Sequence, residues 1–197
     1  MIGWPLVFGW RFHHARSKLT QGHGAIAMAL HWIVVTLVLG AWISGQFGDE
    51  LLRGAPHETG LFVHMSLGLA IVAFVVARLF WRLSDPPPAP EESPLGAWGE
   101  WAAKAGHYFI YVALIAVPVA GIVVQLAQGH ALPVFGLFEI ASPWRPDRAF
   151  AHDVKEVHEV LANAMMALIG LHAAAALAHH YIFRDRTLQR MLPVTRS

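Results

Sequence analysis

The chain has 197 residues, of which 56% are hydrophobic and only 14% are charged, whereas about a quarter of the residues in a soluble domain are charged. The net charge of +1 offers no general attraction for nucleic acid, and the absence of cysteine excludes disulfides, thiolate-bound iron–sulfur clusters, Cys-ligated zinc and haem attached through a Cys-x-x-Cys-His motif. The composition instead indicates a membrane protein that is unusually rich in histidine, with 13 such residues.

Four apolar segments of at least ~20 residues follow one another along the chain. They are residues 25–47, 61–83, 104–127 and 154–182. Each can cross a hydrocarbon core of ~30 Å as a helix, and unbroken runs of this length are too long for barrel strands. The sequence therefore predicts an all-α integral membrane protein, a bundle of four transmembrane helices.

The remaining segments suggest a division into three parts. Met1 to Trp10 are apolar, but the positive charges follow this run instead of preceding it, and so short a run cannot span a bilayer. We therefore expect residues 1–24 to be a cytoplasmic or interfacial extension, without a cleaved signal peptide. Residues 25–183 would be the membrane domain and 184–197 a basic cytoplasmic tail. The connection with Pro86 to Pro90 cannot be helical, and residues 128–153 form the longest loop.

The basic residues predict the orientation of the helices. Cytoplasmic loops of membrane proteins carry an excess of Lys and Arg. With the N-terminus inside, the inner side holds Arg11, Arg16, Lys18, Arg78, Arg82, Lys104, Arg184, Arg186, Arg190 and Arg196. The outer side holds only Arg53, Arg145, Arg148 and Lys155. Both termini are therefore expected in the cytoplasm.

Histidines recur at two depths of the predicted bundle. Ionisable residues inside a bilayer are costly and suggest function. His158 and His172 are fourteen residues apart on the fourth helix, so they share a face and lie ~21 Å apart along its axis. His31 enters the first helix from the inner side, and His64 enters the second from the outer side. Depth thus pairs His158 with His64 and His172 with His31.

Two stacked bis-imidazole sites are what two b-type haems require. Bis-His ligation leaves no open position on the iron, which suits electron transfer better than binding of O₂. The alternative for a single histidine is a hydrogen-bonded packing role. The alternative for the set is zinc, which usually takes three or four protein ligands in one tetrahedral cluster, whereas these histidines form two layers.

Two basic residues lie on the same helix faces as these histidines. Arg78 is fourteen residues after His64, at the inner level, where it could pair with a haem propionate or simply reach the inner interface. Lys155 is one turn before His158 and faces the outer haem layer, where it could steer an anionic substrate or serve as a surface charge.

Several stretches surround these histidines: ALHWI around His31, VHMSLG around His64, GHYFIYVALIAVPVAG from Gly106, KEVHEVLAN around His158 and IGLHAAAALAHHY from Ile169. Together they resemble the bacterial cytochrome b561 family. The similarity extends from about Ala25 to Pro193. It implies a four-helix dihaem protein of the bacterial inner membrane with ligands at His31, His64, His158 and His172, which agrees with the pairing by depth.

The resemblance also implies an oxidoreductase that passes single electrons from superoxide, outside, to ubiquinone, yielding O₂ and ubiquinol. The outer side carries eight acidic residues, so its overall field is unhelpful to an anion, and steering would depend on the local placement of Lys155, Arg53, Arg145 or Arg148. The acidic residues are Asp49, Glu50, Glu58, Glu139, Asp147, Asp153, Glu156 and Glu159.

Quinone reduction requires protons as well as electrons. His107, His179 and His180 lie near the inner end and are the candidates for a quinone site, because a histidine titrates near neutrality and can hydrogen-bond a quinone carbonyl. No motif in the sequence marks such a site, and an interfacial location without function is the alternative.

Two other functions remain open at this stage. A cytochrome b subunit would use the same bundle to pass electrons from a partner dehydrogenase or hydrogenase to quinone. A His-rich carrier of divalent metal would show no haem absorption at all. Purified protein mixed with superoxide alone separates the enzyme from the subunit, because the subunit needs its partner.

Overall fold

The computed structural model describes residues 24–51, 58–86 and 95–192. Most of the expected extension 1–24, the end of the tail, and Arg11, Arg16, Lys18, Arg53 and Arg196 lie outside the described residues. Within these ranges, four helices are long and apolar enough to cross a membrane. The prediction of an all-α membrane bundle is confirmed.

The four long helices are α1 (Ala25–Leu51), α2 (Glu58–Ser84), α3 (Gly96–Ala127) and α4 (Arg148–Ala178). α3 and α4 begin earlier than their apolar stretches predict. At α4 the cause is a cap, because the Asp147 side chain accepts the backbone N–H of Phe150 at 3.0 Å and so satisfies a donor of the first turn. The amphipathic first turns of α4 thus lie before its apolar run.

The helices pack as two antiparallel hairpins, α1 with α2 and α3 with α4, and α2 lies against α3. Gly48 and Gly60 bring α1 and α2 together, since a Cβ on Gly48 would lie 3.6 Å from the Cα of Gly60. α1 reaches α4 through Trp42, whose Nε1–H donates to Asn163 Oδ1 at 3.3 Å. The buried core contains Val34, Val38, Ala41, Ile71, Val75, Leu114, Val117 and Met165.

A small β-hairpin connects α3 to α4, where the sequence predicted only a loop. β1 (Leu132–Val134) pairs antiparallel with β2 (Phe138–Ile140), and β1 lies against α2 and α3. Three residues, 135–137, separate the paired Val134 and Phe138; φ is positive at Phe135 and Gly136, and the N–H of Leu137 donates to the carbonyl of Val134 at 2.9 Å. We call this end of the bundle the hairpin end.

The opposite end, which we call the terminal end, carries the start of α1 and the end of α4. There Gly24 lies beside Asp85, which follows α2. α4 continues into a π-helical turn (His179–Phe183), Arg184 takes a left-handed conformation, and a 3₁₀ turn (Gln189–Met191) follows. The indole Nε1–H of Trp32 donates to the carbonyl of Met191 at 2.8 Å, so the segment after α4 returns to α1.

Candidate functional site

His64 of α2 and His158 of α4 meet inside the bundle, towards the hairpin end. Their ring centroids are 6.0 Å apart, the ring planes are nearly perpendicular at 85°, and both residues are half-buried. The two residues lie on different helix hairpins and far apart in sequence, so the fold brings together the two histidines that depth had paired.

Both rings are held by backbone carbonyls of a neighbouring helix. Nδ1 of His64 bonds to the carbonyl of Ala41 on α1 at 2.9 Å, and Nδ1 of His158 bonds to the carbonyl of Val117 on α3 at 2.9 Å. A carbonyl oxygen only accepts, so each Nδ1 carries the hydrogen and each neutral ring keeps a lone pair on Nε2. This is the arrangement that fixes the tautomer and orientation of a metal-binding histidine.

Two glycines make room for the two rings. A Cβ on Gly45 would lie 2.9 Å from Cε1 of His64, and a Cβ on Gly121 would lie 3.2 Å from Cε1 of His158. Each glycine lies one turn after the carbonyl that holds the same ring, at Ala41 and Val117 respectively. The carbonyl and the glycine together form a seat for the imidazole, and α1 and α3 each supply one.

The two helix hairpins share one pattern of spacing. Fourteen residues separate His31 from Gly45 on α1, and fourteen separate His107 from Gly121 on α3. The same interval separates His64 from Arg78 on α2 and His158 from His172 on α4. In this spacing His31 on α1 occupies the position that His107 occupies on α3, and Arg78 on α2 the position that His172 occupies on α4. Gly45 and Gly121 were not identified from the sequence, although this repeated spacing is a signal that the sequence contains.

The other residues with this fourteen-residue spacing lie nearer the terminal end; they are His31, Arg78, His107 and His172. Nη1 of Arg78 donates to Nδ1 of His31 at 2.8 Å. The ring of His107 lies against that of His172, with centroids 5.2 Å apart at 65°. Because arginine only donates, Nδ1 of His31 is the acceptor here and its ring hydrogen lies on Nε2. The pairing of His31 with His172 as ligands stays a prediction.

Two buried polar atoms beside Arg78 lack a partner among the described residues. They are the hydroxyl of Tyr111, whose ring lies 5.8 Å from the guanidinium carbon of Arg78, and Nε1 of Trp81, one turn after Arg78 on α2. A buried polar group without a hydrogen bond costs about 1–3 kcal/mol. Both groups are therefore suited to donate to a polar ligand at this level, and neither was identified from the sequence.

Lys155 lies on the exposed surface near the hairpin end and is paired with an acid. Its Nζ is 3.4 Å from Oε1 of Glu159, one turn further along α4, and the two side chains are 60% and 55% exposed. Exposed pairs of this kind contribute little to stability. Glu159 does, however, offset the charge that Lys155 presents next to His158.

At the terminal end, His179 and His180 differ in their surroundings. Nδ1 of His179 contacts the carboxylate of Asp185, while the ring of His180 lies against that of Tyr181. Burial raises the pKa of Asp185, but hydrogen bonds from His179 and Thr187 outweigh it and hold that pKa below its usual range. Asp185 was not predicted from the sequence, because it reaches His179 only through the left-handed turn at Arg184.

A clustered metal site has no support in the described residues. Nowhere in residues 24–51, 58–86 and 95–192 do three or more His, Asp or Glu side chains gather closely enough to hold a metal ion. The tetrahedral zinc interpretation therefore has no site in that part of the chain, whereas a pair of facing imidazoles is a site for an iron that already has four ligands in a macrocycle.

A membrane bundle of four helices with facing, backbone-anchored histidines is the arrangement expected of a membrane cytochrome b. A family model described as prokaryotic cytochrome b561 matches residues 22–194. The chain belongs to the prokaryotic cytochrome b561 family, whose members bind b-type haem and transfer electrons in the membrane. The chain is accordingly a multi-pass bacterial membrane protein, and the resemblance inferred from the sequence is confirmed.

Curated relatives match nearly the whole length. A Yersinia pestis protein named "Probable superoxide oxidase CybB" is 35% identical over 181 residues, covering 89% of this chain and 98% of that protein. The Escherichia coli K12 protein "Cytochrome b561 homolog 2" is 32% identical, covering 89% and 94%. "Cytochrome b562" of Cereibacter sphaeroides is 26% identical, covering 87% and 95%.

Proposed function

We propose that this protein is a dihaem cytochrome b that takes electrons from superoxide at the hairpin end and delivers them to ubiquinone at the terminal end. The observation that carries the proposal is the pair His64 and His158, each with Nδ1 bonded to a carbonyl at 2.9 Å and Nε2 left to bind iron. The name of the Yersinia pestis relative supports superoxide as the electron donor.

The residues near the hairpin end fit a haem. Metal–imidazole bonds are roughly 2 Å long, so two imidazoles that would hold one metal ion have ring centres roughly 6 Å apart. The observed separation of 6.0 Å between His64 and His158 matches this value. In the proposal these two residues hold one haem, and haem so ligated supplies reversible one-electron transfer without an open position for O₂.

A second haem would be held by His31 and His172. For His31 to bind iron through Nε2, Arg78 has to leave the hydrogen bond that it donates to Nδ1 of this ring. A haem propionate is a suitable new partner, because a bidentate arginine–carboxylate pair is strong. The hydroxyl of Tyr111 and Nε1 of Trp81, which have no hydrogen-bond partner among the described residues, lie beside Arg78 and could donate to the same carboxylate.

The charges of the described residues support an orientation with the hairpin end outside. Basic residues near the terminal end include Arg82, Lys104, Arg184, Arg186 and Arg190, whereas the hairpin end has Arg145, Arg148 and Lys155. Cytoplasmic sides carry the excess of basic residues. In the proposal, superoxide therefore arrives from the periplasmic side, both termini lie in the cytoplasm, and the quinone site lies in the inner leaflet.

The approach of superoxide is governed by a few local charges. Lys155 lies one turn before His158, and its charge is partly offset by Glu159 at 3.4 Å. Charges near an entrance change the encounter rate of an anion by tenfold or more. We propose Lys155 as a steering residue, with Glu159 opposing it.

The runner-up function is the partner-dependent subunit. The hairpin end exposes apolar side chains, among them Leu137 at 80% and Phe138 at 58%, which a partner protein could cover. The relatives named only as cytochromes b561 and b562 are equally compatible with such a role. This candidate uses the same haem ligands and differs only in where the electrons come from.

The test is stopped-flow absorbance of the purified protein mixed with superoxide and no other protein. We expect rapid reduction of haem by superoxide alone, and reoxidation when ubiquinone is present. A protein that stays oxidised with superoxide, yet is reduced through an added dehydrogenase or hydrogenase, would overturn the enzyme assignment in favour of the subunit.

A further inference from the structure

The turn beyond α4 holds a histidine against a carboxylate. Nδ1 of His179 contacts Oδ2 of Asp185, and the two side chains are only 26% and 17% exposed. The other oxygen, Oδ1, accepts the backbone N–H of Thr187 at 2.8 Å, and the N–H of Asp185 donates to the carbonyl of His179 at 3.1 Å. The carboxylate is thus fixed on both sides, and the ring of His179 is fixed by it.

This pair lies at the terminal end, directly after α4, where the chain turns towards α1. His179 begins the π-helical turn directly after α4, seven residues after His172, so it lies on nearly the same helix face, roughly 10 Å further along the axis. The segment that contains Asp185 then crosses to α1, where Met191 accepts the indole N–H of Trp32, the residue next to His31. The pair is therefore adjacent to the proposed second haem site on its terminal side.

The chemistry of the pair is that of an oriented proton carrier. An ionised carboxylate only accepts, so the shared hydrogen is on Nδ1 of His179, and Nε2 is the nitrogen available to another partner. The same relationship in Ser-His-Asp hydrolases holds the imidazole in one tautomer and stabilises the imidazolium. The low pKa of Asp185, caused by hydrogen bonds from His179 and Thr187 in spite of burial, keeps its carboxylate ionised.

We propose that Asp185 is a positioning residue for quinone reduction, which holds His179 so that Nε2 passes protons to the oxygen atoms of a quinone bound at the terminal end. This inference rests on the proposed function, in which ubiquinone is the acceptor. It adds Asp185 to the residues of the quinone site and separates the role of His179 from that of His180, which has a tyrosine ring against it instead of a carboxylate.

One quinone takes two electrons and two protons to become a quinol, and the electrons come from two superoxide anions, each of which becomes O₂. Each proton leaves Nε2 of the His179 imidazolium and forms an O–H bond with a quinone oxygen. The neutral ring stays bonded to Asp185 through Nδ1 and takes its next proton on Nε2 from water at the cytoplasmic surface.

Replacement of Asp185 by Asn separates this role from a structural one. Asn can still accept the N–H of Thr187, so the turn keeps that bond, but its amide NH₂ would face Nδ1 of His179 and favour the opposite tautomer. A residue that only closes the turn would tolerate this change. A residue that sets the tautomer of His179 would not tolerate it. Asp185→Glu, which keeps a carboxylate, should then retain most of the wild-type rate of reoxidation by ubiquinone.

The experiment follows reoxidation of the purified, dithionite-reduced protein by a short-chain ubiquinone at increasing concentration. Asp185→Asn should lower the limiting rate at least about tenfold, with an apparent KM within about twofold of wild type, since general acid catalysis typically contributes 10²–10⁴-fold. Asp147→Asn is the matched control, because it changes an aspartate that caps the other end of α4 and Asn also caps well.

A double-mutant cycle makes the result decisive even if Asp185→Asn weakens the turn. If Asp185 acts through His179, then His179→Gln and His179→Gln with Asp185→Asn should show the same limiting rate. A limiting rate lower in the double variant than in His179→Gln would overturn the inference, as would a wild-type rate in Asp185→Asn. Neither result would affect the proposed function, because the wild type would still reduce ubiquinone. A wild-type protein that ubiquinone does not reoxidise would instead overturn the proposed function itself.

Discussion

Gly45 of α1 lies against the ring of His64 on α2, so closely that a Cβ at this position would be 2.9 Å from Cε1 and 3.0 Å from Nδ1. The same ring bonds through Nδ1 to the carbonyl of Ala41, one turn earlier. If Gly45 or the carbonyl of Ala41 moved relative to the ring, Nε2 of His64 would point in a different direction. The position of the proposed ligand His64 is therefore set by a residue that has no side chain.

The first prediction concerns this contact. Gly45→Ala should displace His64 and lower retention of the haem near the hairpin end at least severalfold, because overpacking of a tight site costs about 1–3 kcal/mol. The haem content per chain, measured after purification, checks this. Gly40→Ala is the matched control on α1, since a Cβ there would meet only Leu67 at an ordinary 3.5 Å. Equal haem content in the two variants would contradict the prediction.

The corresponding glycine of α3 gives a second prediction. A Cβ on Gly121 would lie 3.2 Å from Cε1 of His158, less close than at Gly45, so Gly121→Ala should have a smaller effect than Gly45→Ala on the same haem. Reduced-minus-oxidised spectra of the two variants would compare them. Loss of different haems in these variants would show that the two seats do not serve one site.

A third prediction concerns Arg78 and the level of His31. Arg78→Met removes the donor to Nδ1 of His31 and the proposed partner of a propionate, so it should weaken the haem near the terminal end and leave the other haem spectrum unchanged. Arg82→Met, one turn further along α2 at an exposed position, is the control. Redox titration with optical detection measures both variants. A change confined to the haem near the hairpin end would refute the assignment of Arg78.

A fourth prediction concerns the charges at the electron entry. Lys155→Glu should slow haem reduction by superoxide about tenfold at low salt, because it replaces an attractive charge with a repulsive one. Glu159→Gln should speed the reduction, because it removes the negative charge that offsets Lys155. Added salt should reduce both effects, since screening acts beyond about 10 Å at 0.1 M. Stopped-flow mixing with superoxide measures the rates. Reduction from the quinol side should not change, and rates insensitive to both variants would remove Lys155 from the mechanism.

The sequence predicted the helices and the depth of the histidines because both depend on local composition and on helical periodicity. It did not predict the hairpin from Leu132 to Ile140, whose strands are short and whose turn is defined by Phe135 and Gly136 in a left-handed conformation. The early start of α4 depends on the cap at Asp147, which hydropathy does not detect.

The surroundings of the histidines were less predictable than their positions. The carbonyls of Ala41 and Val117 carry no side-chain signal, and their role depends on how α1 packs on α2 and α3 on α4. The contact of Asp185 with His179 depends on a chain reversal at Arg184. Such contacts arise from tertiary packing. The sequence indicates them only where a spacing repeats, as the fourteen-residue interval before Gly45 and before Gly121 does.

We propose that two haems lie in two layers, with His64 and His158 in one and His31 and His172 in the other. The most direct measurement is the haem content and the redox spectrum of the four single His→Ala variants, with total haem counted as the pyridine haemochrome after extraction by acidic acetone. We expect two non-covalent haems in the wild type, loss of one and the same haem in His64→Ala and His158→Ala, and loss of the other in His31→Ala and His172→Ala. One haem per wild-type chain, or loss of the same haem in His64→Ala and His172→Ala, would contradict the account.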